Sequence, residues 1–190
     1  MTGTVFRTDE CEDVISSLKL FIESSEKINK DDTYWKWAII SLHSALQSMM
    51  AFHLGFGNDL LVMTQKDAEA WLDAHENETI YPYTKMDSFL NLYKKIKKHS
   101  ILGFKFEAKG QEGNSIKRLN RLRNEFVHFM PKGWSILVSG LPDIFTDCLS
   151  IIEALSNSST GMRWYDKKQS EKFNELMVHA RQKTYELKNH

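Results

Sequence analysis

The sequence predicts an all-α protein, a bundle of about five to six helices with a short irregular or extended segment near 134–139. Three observations predict it. Three prolines and nine glycines punctuate 190 residues, and they cluster between long segments whose apolar residues recur at helical spacing. No stretch of any length alternates apolar and polar residues as a half-buried strand does. There is also no internal repeat, so a solenoid is excluded.

The first helix opens on Asp9, Glu10, Glu12 and Asp13, carboxylates suited to the positive end of a helix dipole. Val14, Leu18, Phe21, Ile22 and Ile28 form its apolar face. A second helix starts after Asp31-Asp32-Thr33, carries Trp35, Ala38, Ile39, Leu42, Ala45, Leu46, Met49 and Phe52, and ends at the glycines of HLGFGND. A short helix fits KDAEAWLDAH. Thr84 and Asp87 resemble a capping box opening a further helix through Met86, Phe89, Leu90, Tyr93 and Ile96.

Gly103 to Ser115 reads as a connector, and helix resumes near Ser115 with Ile116, Leu119, Leu122, Phe126 and Phe129 on one face. Pro131 and Gly133 stop it. WSILVSG, bracketed by turn signals, is the expected extended piece. Pro142 suits the first turn of a helix using Ile144, Cys148, Ile151, Ile152 and Leu155. After SNSSTG, the last helix places Phe173, Leu176, Met177, Ala180, Thr184 and Leu187 on one side. The expected organisation is one domain over 1–190, with 1–8 frayed and 156–165 a flexible connector to the last helix.

Twenty-five basic residues balance twenty-five acidic ones, so no global field recruits nucleic acid or an anionic membrane, and any such attraction must be local. Cys11 and Cys148 are far apart and outside any metal-ligand spacing, as expected of two buried thiols in a reducing compartment. The N-terminus is acidic where a signal peptide is basic and then apolar. No apolar run is long enough to cross a bilayer. A cytoplasmic protein without membrane contact is expected.

The chemistry concentrates in one stretch, RLNRLRNEFVHF. Arg118, Arg121 and Arg123 crowd into it directly after Lys117, followed by Asn124 and His128 among large apolar side chains. A charge run is most often a solvated face. These cations, however, do not share one side of a helix, and Arg123 falls at the edge of the apolar stripe. A guanidinium there needs a partner, either a protein carboxylate or a substrate phosphate. His128 follows five residues later, about 140° away around a helix, whereas Asn124 and His128 share a face. Either Pro131 loosens the helix beyond His128 or a second subunit completes the site. On spacing alone, a lone histidine among apolar residues is more often a satisfied core histidine.

Arg123-Asn124-Glu125-Phe126-Val127-His128 resembles the Arg–polar–x–x–x–His signature of the HEPN superfamily, the higher eukaryote and prokaryote nucleotide-binding domains. The resemblance implies an all-α bundle over residues 9 to 157, with the motif late in the chain. It implies metal-independent RNA cleavage in toxin–antitoxin or phage-defence systems, commonly by homodimers whose two motifs face a shared cleft. It equally implies the alternative, since many members are non-catalytic nucleotide- or protein-binding modules. By that likeness Arg123, Asn124 and His128 are the catalytic set, with Arg121, Arg118 and Lys117 on the substrate. Partners would be RNA, an antitoxin or other protein, and a second copy. Met130 stands where some members carry a tyrosine modified by a partner enzyme, so that control is not expected here.

The chemistry needs no cofactor. An imidazole titrating near neutrality can serve as general base or acid, and an Arg fork can hold a phosphate bidentately. No carboxylate cluster or His/Cys set stands at metal spacing, and no P-loop, GxSxG, HExxH or dinucleotide fingerprint is present. Weaker signals are the His43–Gln47 pair, expected to satisfy each other or a neighbouring helix, and the cations Lys94, Lys95, Lys97 and Lys98 at a helix end. Trp35, Trp37, Trp71 and Trp134 are expected to pack rather than stack bases. Asp87 and Asp143 read as capping or first-turn acids.

Overall fold

The computed structural model describes residues 3–128, 131, 133–158 and 162–189. These form seven helices, with isolated bridges but no strand: α1 (Glu10–Lys27), α2 (Tyr34–Leu54), α3 (Gln65–Glu76), α4 (Phe89–Lys98), α5 (Glu112–His128), α6 (Leu141–Ser156) and α7 (Lys167–Lys188). The fold is all-α as expected. The helix count exceeds five to six because the stretch around Lys66–His75 forms a full helix, its first turn capped by the Thr64 hydroxyl on the Asp67 amide at 3.1 Å.

Apolar faces of α1, α2, α4, α5, α6 and α7 meet in one continuous core. α1 starts where Asp9 Oδ1 accepts the Glu12 amide at 2.9 Å, and lies along α2, which ends at Gly55. Phe145 of α6 sits fully buried at the junction, edge-on to Phe21 with centroids 5.2 Å apart and 6.1 Å from Trp35. Cys11 and Cys148 are free and buried. No helix among the described residues is long and apolar enough to cross a membrane.

The entrance to α4 departs from the expected capping box. Ser88, not Thr84, is its N-cap and accepts the Asn91 amide, while Met86 lies outside the helix, bridged to Met63. The reason is that Asp87 is engaged elsewhere. Its amide donates to Val62 O at 2.8 Å, and its carboxylate takes Lys95 Nζ at 2.7 Å and Asn91 Nδ2 at 2.9 Å. Lys95 also donates to Met63 O at 2.7 Å, so one ion pair clamps the approach to α4 onto the chain after α2.

Burial pushes the Asp87 carboxyl up. The Lys95, Asn91 and Ser88 hydrogen bonds and the Lys95 charge outweigh it, leaving the pKa below the ordinary carboxylate value. A lowered folded-state pKa stabilises above the unfolded pKa, and that gain disappears as pH falls through the folded value. Asp87→Asn is expected to cost about 1–3 kcal/mol near neutrality. The deficit should shrink below the carboxylate range, as urea denaturation at the two pH values will read.

α5 begins at Glu112, three residues before Ser115, because Glu112 Oε1 accepts the Lys109 amide at 3.0 Å and closes the first turn. Phe129, expected on its apolar face, and Met130 lie outside the described residues. Residues 133–138 are irregular, with Trp134, Ile136 and Val138 turned to the core and Leu137 outward. Pro142 does sit in the first turn of α6. Residues 3–8 are exposed without regular structure. Between α6 and α7, Ser158 and Met162 are buried, and Trp164 packs on Phe173 at 4.9 Å.

Candidate functional site

α5 is held by its buried residues Ile116, Leu119 and Leu122, packed toward α2, α4 and α6. Phe126 lies half-buried against Trp134, ring centroids 4.7 Å apart. Helical geometry then fixes what faces out. Lys117, Arg121, Asn124 and His128 fall on one side of the helix, and all four are exposed. Arg118 and Arg123 are half-buried on opposite flanks of the apolar stripe. The predicted basic run therefore divides into an outward row and two flanking guanidiniums.

The helix stays regular through His128, so Arg123 and His128 leave the axis about 140° apart. Arg123 Nη1 donates to Asn124 Oδ1 at 3.1 Å, which turns the guanidinium toward the face that Asn124 shares with His128. Among the described residues no carboxylate pairs with Arg123. His128 is exposed. A purely structural pair would instead place an acid on the arginine and bury the imidazole against a carbonyl.

One partner of this segment is not legible in its spacing. Asn120 Oδ1 lies 3.2 Å from His43 Nε2 on α2, and the His43 ring stacks on Phe89 of α4 at 3.9 Å. His43 thus ties three helices together, and its polar neighbour is Asn120 across the core, not Gln47 on its own helix. The signal available in the sequence was Asn120 itself, an amide between Leu119 and the Arg121-Leu122 step.

Burial chiefly lowers the His43 pKa, to about 4. The Asn120 hydrogen bond opposes the fall, and the Arg123 charge adds to it. With the unfolded value near 6.5, the unfolded chain takes up a proton that the folded one refuses as pH drops from about 6.5 toward 4. Stability is unaffected above that window and declines through it, by about 3 kcal/mol at its lower end. Thermal melts across this range should show the slope in the wild type and lose it in His43→Gln.

The other candidates disperse. Lys95 is consumed by Asp87, Lys97 Nζ sits 4.5 Å over the Tyr93 ring, and Lys94 donates to Asn91 Oδ1 at 3.3 Å. Trp35 is buried near Phe145, Trp71 stacks on His75 and Tyr81, and Trp37 is exposed beneath Lys36. Asp143 accepts from Lys188 at 2.6 Å in the first turn of α6. Among the described residues no group of three or more His, Cys, Asp or Glu is placed to hold a metal ion.

Beside Phe126 of α5 lies an open groove of about 470 Å³, lined by Asp32, Trp35, Lys36, Trp134, Ile136 and Val138 among others. Its walls are mainly aromatic and aliphatic, with one acid, Asp32, and one cation, Lys36, among them. Comparison of the chain with protein families, curated proteins and solved structures finds no match.

Proposed function

We propose that this chain is a HEPN-like, metal-independent endoribonuclease, a toxin or phage-defence component working at the last two turns of α5. The observation that supports it is the Arg123–Asn124 hydrogen bond, which draws an arginine without a carboxylate partner toward the face of an exposed histidine. A phosphodiester lying on that face would meet both groups.

In the proposed reaction His128 accepts the proton of a ribose 2′-hydroxyl as its oxygen attacks the adjacent phosphorus. The bond from phosphorus to the 5′-oxygen breaks, that oxygen takes a proton from water, the imidazolium of His128 returns its proton to solvent, and a 2′,3′-cyclic phosphate and a 5′-hydroxyl end remain. Arg123 offsets the charge growing on the phosphoryl oxygens, and Asn124 holds the guanidinium in place. Arg121, Arg118 and Lys117 bind backbone phosphates further along the helix. The groove beside Phe126 offers aromatic faces to an unstacked base.

A second reading is a non-catalytic nucleotide- or protein-binding module. It is favoured by one observation: among the described residues no hydrogen bond holds the His128 ring in a chosen tautomer.

The test is incubation of mixed RNA with purified wild type and His128→Ala in excess EDTA. The wild type is expected to leave cyclic phosphate ends, and the variant to be slower by on the order of 10²–10⁴. Equal cleavage by both would remove His128 from the chemistry. RNA binding without cleavage, by folded protein, would establish the binding module instead.

A further inference from the structure

α3 stands apart. Among the described residues it packs against none of the other helices, and it is tied near its root, through the Met63–Met86 bridge, the Thr64 amide on Lys85 O at 3.2 Å and the Lys85 amide on Asp67 Oδ2 at 3.0 Å. Its inner side is closed by its own following loop. Trp71 stacks on Tyr81 with centroids 5.0 Å apart, and His75 Nδ1 lies 2.9 Å from the Tyr81 hydroxyl. The result is an ordered arm that adds little to the bundle core.

The outer side of the arm is built differently. Glu69, Leu72, Asp73 and Glu76 share an exposed face by helical spacing, and beyond the helix Ile80 and Tyr83 are 95% and 87% exposed. Over 65–83 five carboxylates, Asp67, Glu69, Asp73, Glu76 and Glu78, stand against Lys66 alone. Exposed large apolar side chains close in sequence to an excess of one sign of charge are the composition of a surface made to be covered.

The opposite sign is presented by α5 of the same chain. Its exposed row holds Lys117 and Arg121, with Arg118 and Glu125 half-buried beside it, and exposed apolar groups nearby in sequence are Val127 and Leu137. The balance of twenty-five cations against twenty-five acids is thus a sum of local excesses that complement each other. α3 and α5 do not touch within one chain. Two copies related by a two-fold axis can satisfy both surfaces at once.

We infer that the α3 arm docks on the basic face of α5 in a second copy of this chain, the two arms exchanging reciprocally. Carboxylates at i, i+4 and i+7 present a row of negative charge to the cations proposed to take RNA phosphates, so the second copy and RNA compete for one face. The inference goes beyond nuclease activity and requires only the charges and apolar groups just named.

Sedimentation velocity of the full chain without RNA tests it. The wild type should be a dimer that dissociates as salt is raised. Glu69→Lys with Glu76→Lys should weaken dimerisation by roughly tenfold or more, and Lys117→Glu with Arg121→Glu should do the same. All four substitutions together should restore the dimer. A wild-type monomer, a dimer indifferent to the arm pair, or a four-fold variant that stays monomeric with wild-type thermal melting would each overturn the inference. Should the α5 pair lower the melting temperature, the arm pair decides alone, because α3 lies outside the packed helices. Assembly is read without RNA: a dimer that cleaves nothing leaves the docking standing, and a monomer that cleaves RNA removes it alone.

Discussion

Phe145→Ala is expected to lower the unfolding free energy by about 3–5 kcal/mol, with a fall in melting temperature of roughly 10 °C. The ring is fully buried on α6, with Phe21 of α1 edge-on at 5.2 Å and Trp35 of α2 at 6.1 Å. Truncation removes apolar area and leaves a void whose walls are themselves aromatic. Those walls belong to three helices fixed by other core contacts, so the gap cannot close by a small shift. Phe145→Leu, which keeps more of the volume, should cost less than half as much. Equal losses for the two variants in urea denaturation would show that the surroundings collapse freely.

Arg123→Ala is expected to slow the proposed cleavage by on the order of 10²–10³ while changing stability by less than about 0.5 kcal/mol. The two readouts together separate a functional arginine from a structural one. Arg123 holds Asn124 Oδ1 and no carboxylate among the described residues, so its removal strands no buried acid. Arg123→Lys keeps the charge but loses the planar fork. It should retain much of the RNA binding and recover little of the rate. A lysine variant as fast as wild type would reduce Arg123 to a point charge. A large drop in melting temperature for the alanine variant would make it a structural residue.

Much of the architecture was legible because helices advertise themselves locally. The apolar spacing from Val14 to Phe21, the glycines after α2, and Pro142 in the first turn of α6 each report a conformation decided within a few residues. The entrance to α4 departs from its spacing for a reason of the same kind. Thr84 and Asp87 have the spacing of a capping box, but Lys95, eight residues beyond Asp87, captures the carboxylate. Spacing cannot rank two hydrogen-bond partners when one of them comes from the far end of the helix.

Within the candidate site, the residue types and their shared faces followed from the sequence. Asn124 and His128 lie on one side of α5, and Arg123 flanks its apolar stripe. The direction of the Arg123 guanidinium toward Asn124 did not, since a long flexible side chain chooses among partners only after packing has fixed what surrounds it. The same holds for His43, whose partner Asn120 is seventy-seven residues away.

The sequence by itself determined an all-helical chain, its element order, and a basic segment carrying Arg123 and His128 near the end of α5. The tertiary structure decided which cations stand in the open, that His43 is sealed among three helices, and that α3 is left outside the packed core. The division has one physical cause. Helix formation and its periodicity are governed by near neighbours along the chain, whereas burial, ion pairing and exposure depend on which surfaces the remaining helices happen to cover.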